Sequence, residues 1–198
     1  MEMFNNIKMA NKITFAFFVL IIFLGFVSCK NKDVLFQENS EDWYVVGNAN
    51  WGFIDNELVG SAKSGSGFIV TKQAYENFNL ELDFMPDSDI NSGIFIRCKN
   101  DTLSSKNCYE LNIWDNHPNQ ENRTGAVVNM YPPLGQVQTI GKWNTFKVMV
   151  NMNHLKVWVN NVLTINSQDD SHIEGYIGLQ AAGSGEIRFK NVKISELK

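Results

Sequence analysis

The stretch NTFKVMVNMNHLKVWVNN, residues 144–161, decides the architecture. Phe146, Val148 and Val150 fall on one side of it, and Thr145, Lys147 and Met149 on the other. After a short break, Leu155, Val157 and Val159 alternate with Lys156 and Trp158. Successive side chains of an extended chain point to opposite faces, so this period of two predicts a pair of half-buried strands. Asn160-Asn161 then reads as a tight turn, because Asn tolerates the positive φ that hairpin turns require. Working outward, similar short runs occupy residues 68–71, 78–85, 93–98, 109–114, 125–130, 176–180 and 186–197, with turn residues between them. No convincing amphipathic helix appears from Trp43 onward. About a dozen short strands without helices predict an all-β fold, an antiparallel β-sandwich of two packed sheets.

The chain has 198 residues and shows no internal repeat or low-complexity tract, which fits one domain behind an N-terminal segment. Lys and Arg number 17 against 21 Asp and Glu, so the formal charge is −4 with mixed signs. There is no basic stripe, and nucleic acid is not an expected partner. Five Trp are many for this length, and a strand Trp serves either the core or a sugar-stacking surface.

Residues 1–29 read as a lipoprotein signal segment. Lys8 and Lys12 precede ITFAFFVLIIFLGFV (residues 13–27), an apolar run too short for an ordinary membrane span. Phe26-Val27-Ser28-Cys29 resembles a bacterial lipobox, so Cys29 is expected to be the lipidated mature N-terminus. Acyl chains there would hold the protein on a membrane of the bacterial cell envelope, at the outer membrane or the periplasmic face. Residues 30–41 are expected to be a tether and 42–198 the β-sandwich domain, acting as a monomer. Export permits a disulfide between Cys98 and Cys108, which flank a polar loop. Strand parity opposes the simplest pairing, since Cys98 directly opposite Cys108 would set Ile96 opposite Glu110 on one face. A bulge would absorb that slip; the alternative is two unpaired thiols.

Ten segments in order resemble the 3-keto-disaccharide hydrolase domain family, whose fold is a concanavalin A-like jelly roll. They include Phe78-Asn79-Leu80-Glu81-Leu82-Asp83-Phe84, Asn91-Ser92-Gly93-Ile94-Phe95-Ile96-Arg97 and Tyr109-Glu110-Leu111-Asn112-Ile113-Trp114-Asp115-Asn116. Thr124-Gly125-Ala126, Gly141-Lys142-Trp143-Asn144, Gly175-Tyr176-Ile177-Gly178-Leu179-Gln180 and the closing Ile187–Ile194 run also match. The loop from Asn116 to Arg123 is shorter than in many relatives, and Asn161 stands where the family often has Gly.

The resemblance implies a carbohydrate-active envelope protein that cleaves 3-keto-glycosides with base assistance. A 3-keto group acidifies the C2 proton, so one base and an oxyanion stabiliser suffice. The glucanase pattern E-x-D-x-x-E is absent, which gives paired-carboxylate hydrolysis little support. Parity sets Arg97, Glu110, Asn112 and Trp114 on one concave face, with Glu110 or His117 as the base and Arg97 steadying the oxyanion. Asn91, Asn112, Trp114, Asp115, Asn129, Tyr131 and Gln180 are the expected contacts to an oligosaccharide or glycoside. The alternative is a non-catalytic carbohydrate-binding lipoprotein using the same face. No cofactor is expected; a calcium ion at Asp115 and Asn116 has no recognised loop spacing behind it, and three His argue against a His-rich zinc site.

Overall fold

The computed structural model describes residues 33–99 and 102–197. The expected signal segment with Cys29, residues 1–29, and residues 30–32 lie outside them. Thirteen strands form two antiparallel sheets, with one 3-10 turn (Gln120–Asn122) as the only helical element among the described residues. The larger sheet runs, edge to edge, through β11 (Val162–Gln168), β10 (His154–Val159), β9 (Asn144–Asn151), β6 (Phe78–Pro86), β13 (Gly185–Glu196), β4 (Glu57–Ala62) and β3 (Asn50–Ile54). The two-residue β1 (Asp33–Val34) adds to β13. The smaller sheet orders β2 (Trp43–Gly47), β5 (Ser66–Thr71), β12 (Tyr176–Ala182), β7 (Asn91–Cys98) and β8 (Tyr109–Ile113).

The alternation at residues 144–159 is realised as read. Phe146, Val148, Val150, Leu155, Val157 and Val159 are all buried between the sheets, whereas Lys147, Met149, Lys156 and Trp158 face outward. Phe78, Phe84, Phe146 and Phe189 from the large sheet meet Ile69, Ile94, Leu111 and Leu179 from the small one, and this layer is the main core. Asn160 and Asn161 both take positive φ, at 50° and 64°, as the turn demands.

The expected tether is shorter than residues 30–41. Asp33 and Val34 pair with Ile194 and Lys193, and the Leu35 amide donates to the Val192 carbonyl at 2.8 Å. Leu35 and Phe36 are buried, and the Trp43 indole N–H donates to the Gln37 carbonyl at 2.9 Å. Apolar burial of Leu35 and Phe36 outweighs the freedom of a polar linker, so the chain joins the fold at Asp33.

Cys98 and Cys108 are bridged, with Cα atoms 4.3 Å apart. The pairing of β7 with β8 sets Ile96 opposite Tyr109 and Phe95 opposite Glu110, which keeps Ile94, Ile96, Tyr109 and Leu111 in the core. The slip that the bridge requires is taken up at Arg97. Its φ is +52°, and the register with β12 shifts between Gly178↔Phe95 and Tyr176↔Cys98. One extra residue in a strand turns everything beyond it to the other face. Cys98 therefore joins Phe95, Phe68, Val70 and Leu103 on the outer face of the small sheet.

A candidate sugar site on the small sheet

The outer face of the small sheet is organised in rows that run across its strands. One row is Val70, Gly178, Phe95 and Glu110; the next is Phe68, Gln180, Gly93 and Asn112. Toward β5 the face is apolar, sealed by Leu103 from the disulfide-closed loop. A Cβ on Gly178 would come within 2.2 Å of Leu103, so only glycine lets that loop lie flat. Toward β8 the face is polar, and Gly93 stands between Gln180 and Asn112 with the Leu111 carbonyl oxygen and Phe95 packed close over it, 3.2 and 3.4 Å from where a Cβ would sit. A Cβ there would stand 3.7 Å from Gln180 Oε1.

Glu110 lies at the border of the two halves. Its side chain makes no hydrogen bond among the described residues, and burial pushes its carboxyl from the usual 4.5 up to about 7. In the adjacent row and beyond it, three buried polar atoms have no partner among the described residues: Asn112 Oδ1, Gln180 Oε1 and Trp114 Nε1. The Asn112 amide nitrogen donates to the Asn122 carbonyl, which fixes the direction of Oδ1. Buried polar atoms without partners are uncommon and costly, and a carboxyl raised by burial on the same strand face makes this the candidate site of the molecule. Asn91 starts β7 opposite Ala182, two residues from Gly93 and on the same face by parity.

His117 is attached through Trp114. The two rings meet edge to face with centroids 4.6 Å apart, and His117 Nδ1 is engaged by the Asn119 backbone at 2.8 and 3.0 Å. Nε2 is left as the ring nitrogen that makes no hydrogen bond among the described residues. Pro118 restricts the backbone of His117 before it, and the local turn to Asn119 holds the ring.

Four expected residues do not join this patch. Arg97 is the clearest correction: the bulge that frees Cys98 carries its side chain away from Glu110. Arg97 is 1% exposed and donates to the carbonyls of Glu76 (2.7 and 2.9 Å), Met152 (2.8 Å) and His172 (3.0 Å), and to Asn77 Oδ1 (3.3 Å). It ties three loops together at one end of the sandwich and has no donor left for an oxyanion. Asp115 is spent in the same way: Oδ1 accepts from Thr124 Oγ1 (2.5 Å) and Thr139 Oγ1 (2.9 Å), and Oδ2 from the Thr139 amide (2.6 Å). Tyr131 donates its hydroxyl to Asp169 Oδ2 at 2.8 Å, alongside Tyr109 to Oδ1 at 2.6 Å, which places it at the core's edge. Asn129 is exposed and pairs with Asn122 through two hydrogen bonds, from Asn122 Nδ2 at 3.2 Å and to Asn122 Oδ1 at 2.9 Å. It supports the site by holding the residue that orients Asn112.

No group of three His, Cys, Asp or Glu among the described residues could hold a metal ion. Gly93, Phe95 and Asn122 are the site residues that sequence reasoning left out. For Gly93 and Phe95 the signal was present, since parity puts both on the face of Gln180 and Glu110. Asn122 had none, because its contribution is a backbone carbonyl brought in by a loop.

A family model, the 3-keto-alpha-glucoside-1,2-lyase-like domain, matches residues 32–195. The chain belongs to this family. Among solved structures, a candidate glycosyl hydrolase of Parabacteroides distasonis is 26% identical, covering 76% of this chain and 94% of that one at a TM-score of 0.66. The carbohydrate-binding module CBM66 of Bacillus subtilis is 20% identical over 80% of this chain and 98% of that one, at 0.64. The Bacillus licheniformis β-glucanase shares the jelly roll at 14% identity and 0.55, over 81% and 95% of the two chains. No curated protein sequence matches. The family and the fold make this a carbohydrate-active protein of the hydrolase-like or carbohydrate-binding type.

Proposed function

We propose that the chain is a lipid-anchored envelope enzyme that cleaves 3-keto-glycosides, with Glu110 as the base. The observation that carries this reading is a desolvated carboxyl, with no hydrogen bond among the described residues and an affinity for protons near pH 7, on the strand face that also carries Asn112 and Gln180 with unpartnered side-chain oxygens. A base of that strength is half ionised at neutral pH, the best compromise between being deprotonated and being basic. Glu110 takes the C2 proton of the keto sugar, the electron pair moves to the C3 oxygen, and the C1–O bond then breaks as the enolate collapses. The leaving alcohol takes up a proton and water adds to the unsaturated sugar. With Arg97 committed elsewhere, the donors on this face are the Trp114 indole N–H and His117 Nε2 when protonated. Asn112, Gln180 and Asn91 hold ring hydroxyls, and lipid on Cys29 keeps the domain at the membrane.

The test is incubation of the protein with 3-keto-trehalose or 3-keto-lactose and assay of released glucose. Release that vanishes in Glu110→Gln supports the enzyme. A second reading, a sugar-binding protein without turnover, draws on Leu103 and the disulfide-closed loop, which seal the apolar half of the face. Binding without release by the wild type would select it. Anchoring is read separately, by incorporation of a labelled fatty acid that Cys29→Ser abolishes.

A further inference from the structure

The opposite side of the molecule, the outer face of the large sheet, has its own hollow of about 590 Å³. Register places Lys193, Glu81, Lys147 and Trp158 in one row across β13, β6, β9 and β10. The adjacent row is Ser195, Asn79, Met149 and Lys156. With neighbouring strands ~4.8 Å apart, each row spans roughly 14 Å. Trp158 is half-buried and lies at a bulge between β10 and β11. Among the described residues it stacks on no other ring, whereas Trp143, the other Trp near this face, is covered by Lys190 Nζ at 3.6 Å.

The polar groups that line the hollow with Trp158 are unspent. Asn79, Asn161 and Ser195 make no side-chain hydrogen bond among the described residues. Of the charged groups on the face, Lys147 pairs with Glu81 at 3.8 Å, while Lys193 and Lys156 pair with no carboxylate. Beyond Glu81 the next row holds Asp83, which accepts from Thr145 and Asn191, and Lys190, which pairs with Glu57. A protein with a net charge of −4 thus collects uncompensated lysines beside a free aromatic ring. A flat apolar ring flanked by amides and a hydroxyl suits the C–H face and hydroxyls of a sugar. The lysines add a preference for a sugar that is charged.

We infer that this groove is a second glycan site, taking an acidic oligosaccharide whose carboxylate or sulfate meets Lys193 while a sugar ring stacks on Trp158. It shares no residue with the Glu110 face and stands whether or not that face is catalytic. Such a site would hold the domain on a charged polymer while the other sheet works on its own substrate.

The experiment titrates the full chain, purified in detergent, with tetragalacturonic acid and in parallel with neutral maltotetraose. Tetragalacturonate is expected to quench tryptophan emission, to bind more weakly as salt rises, and to lose roughly tenfold or more in affinity in Trp158→Ala. Lys193→Gln is expected to abolish the preference over maltotetraose, and the tetragalacturonate titration is expected to be the same when Glu110 is replaced by Gln. Near-ultraviolet circular dichroism checks that each variant is folded. Equal binding of the neutral sugar, loss in Glu110→Gln but not in Trp158→Ala, or no binding of either sugar overturns the inference. So does binding to anionic lipid vesicles in place of tetragalacturonate, which would make this a membrane-facing surface. Glucose release from a 3-keto-disaccharide, unchanged in Trp158→Ala, keeps the two sites' tests apart.

Discussion

Replacing Glu110 by Gln tests the feature on which the proposed chemistry stands. Gln has nearly the shape of the protonated acid but never ionises. Burial raises the Glu110 carboxyl from 4.5 to about 7, so the native state keeps a proton that the unfolded chain has already released. The sign follows: wild-type stability falls as pH rises from about 4.5 to about 7 and is level above that. At ~1.36 kcal/mol per unit, and with some allowance for partial exposure, the ionised carboxyl costs the fold about 2–3 kcal/mol by pH 8. Urea unfolding of both proteins from pH 4 to 8.5 is the assay, with the difference in unfolding free energy plotted against pH. The curves should coincide near pH 4, and E110Q should become the more stable protein by that amount above pH 7. In parallel, glucose release by the wild type should rise through pH 7 as the base ionises, and be absent in E110Q. A stability difference that stays flat with pH would show that Glu110 is solvated, and the argument for a desolvated base would fail with it.

Further outcomes follow from other parts of the molecule. Arg97→Lys cannot reach the carbonyls of Glu76, Met152 and His172 at once and should lose about 3 kcal/mol or more in chemical denaturation, because buried acceptors are left unpaired. Removing the bridge with Cys98→Ser and Cys108→Ser should lower stability by about 2–4 kcal/mol and make the Phe68, Phe95 and Leu103 cluster bind an apolar dye. Phe146→Ala, at the centre of the intersheet layer, should cost about 3–5 kcal/mol in the same measurement. Burial raises the Asp169 carboxyl but is outweighed by hydrogen bonds from Tyr109, Ser171 and Tyr131, which hold it at about 2. Its stabilisation is present above about pH 4 and lost as pH falls toward 2, so the acid limb of the unfolding curve should flatten in Asp169→Asn.

The faces of the strands around residues 78–85, 109–113 and 144–159 were legible in the sequence, because a period of two in side-chain polarity is a local property, whereas the run at 125–130 folds as loop. Phe146, Val148 and Val150 announce a buried face without reference to any other strand, and Glu110 and Asn112 were placed on the outer face by the same alternation, whereas Gln180 came from the family resemblance. The family was legible too, from short segments in a fixed order. Arg97 marks where that reasoning stops. Parity placed it beside Glu110, and the same parity argued against a bridge between Cys98 and Cys108. One bulge at Arg97 reverses both results. A bulge is chosen by contacts made across the sheet and between loops: here the disulfide and Leu103 on one side, and three carbonyls needing donors on the other. Asp115, Tyr131 and Asn129 failed as site residues for a related reason. Their polar groups are taken by Thr139, Asp169 and Asn122, partners between 7 and 38 residues away that only the folded chain brings within hydrogen-bond distance. The sequence by itself determined which residues could share a face; the tertiary structure decided which polar groups were already used, because a hydrogen-bonding atom satisfied by its own chain has nothing left for a sugar.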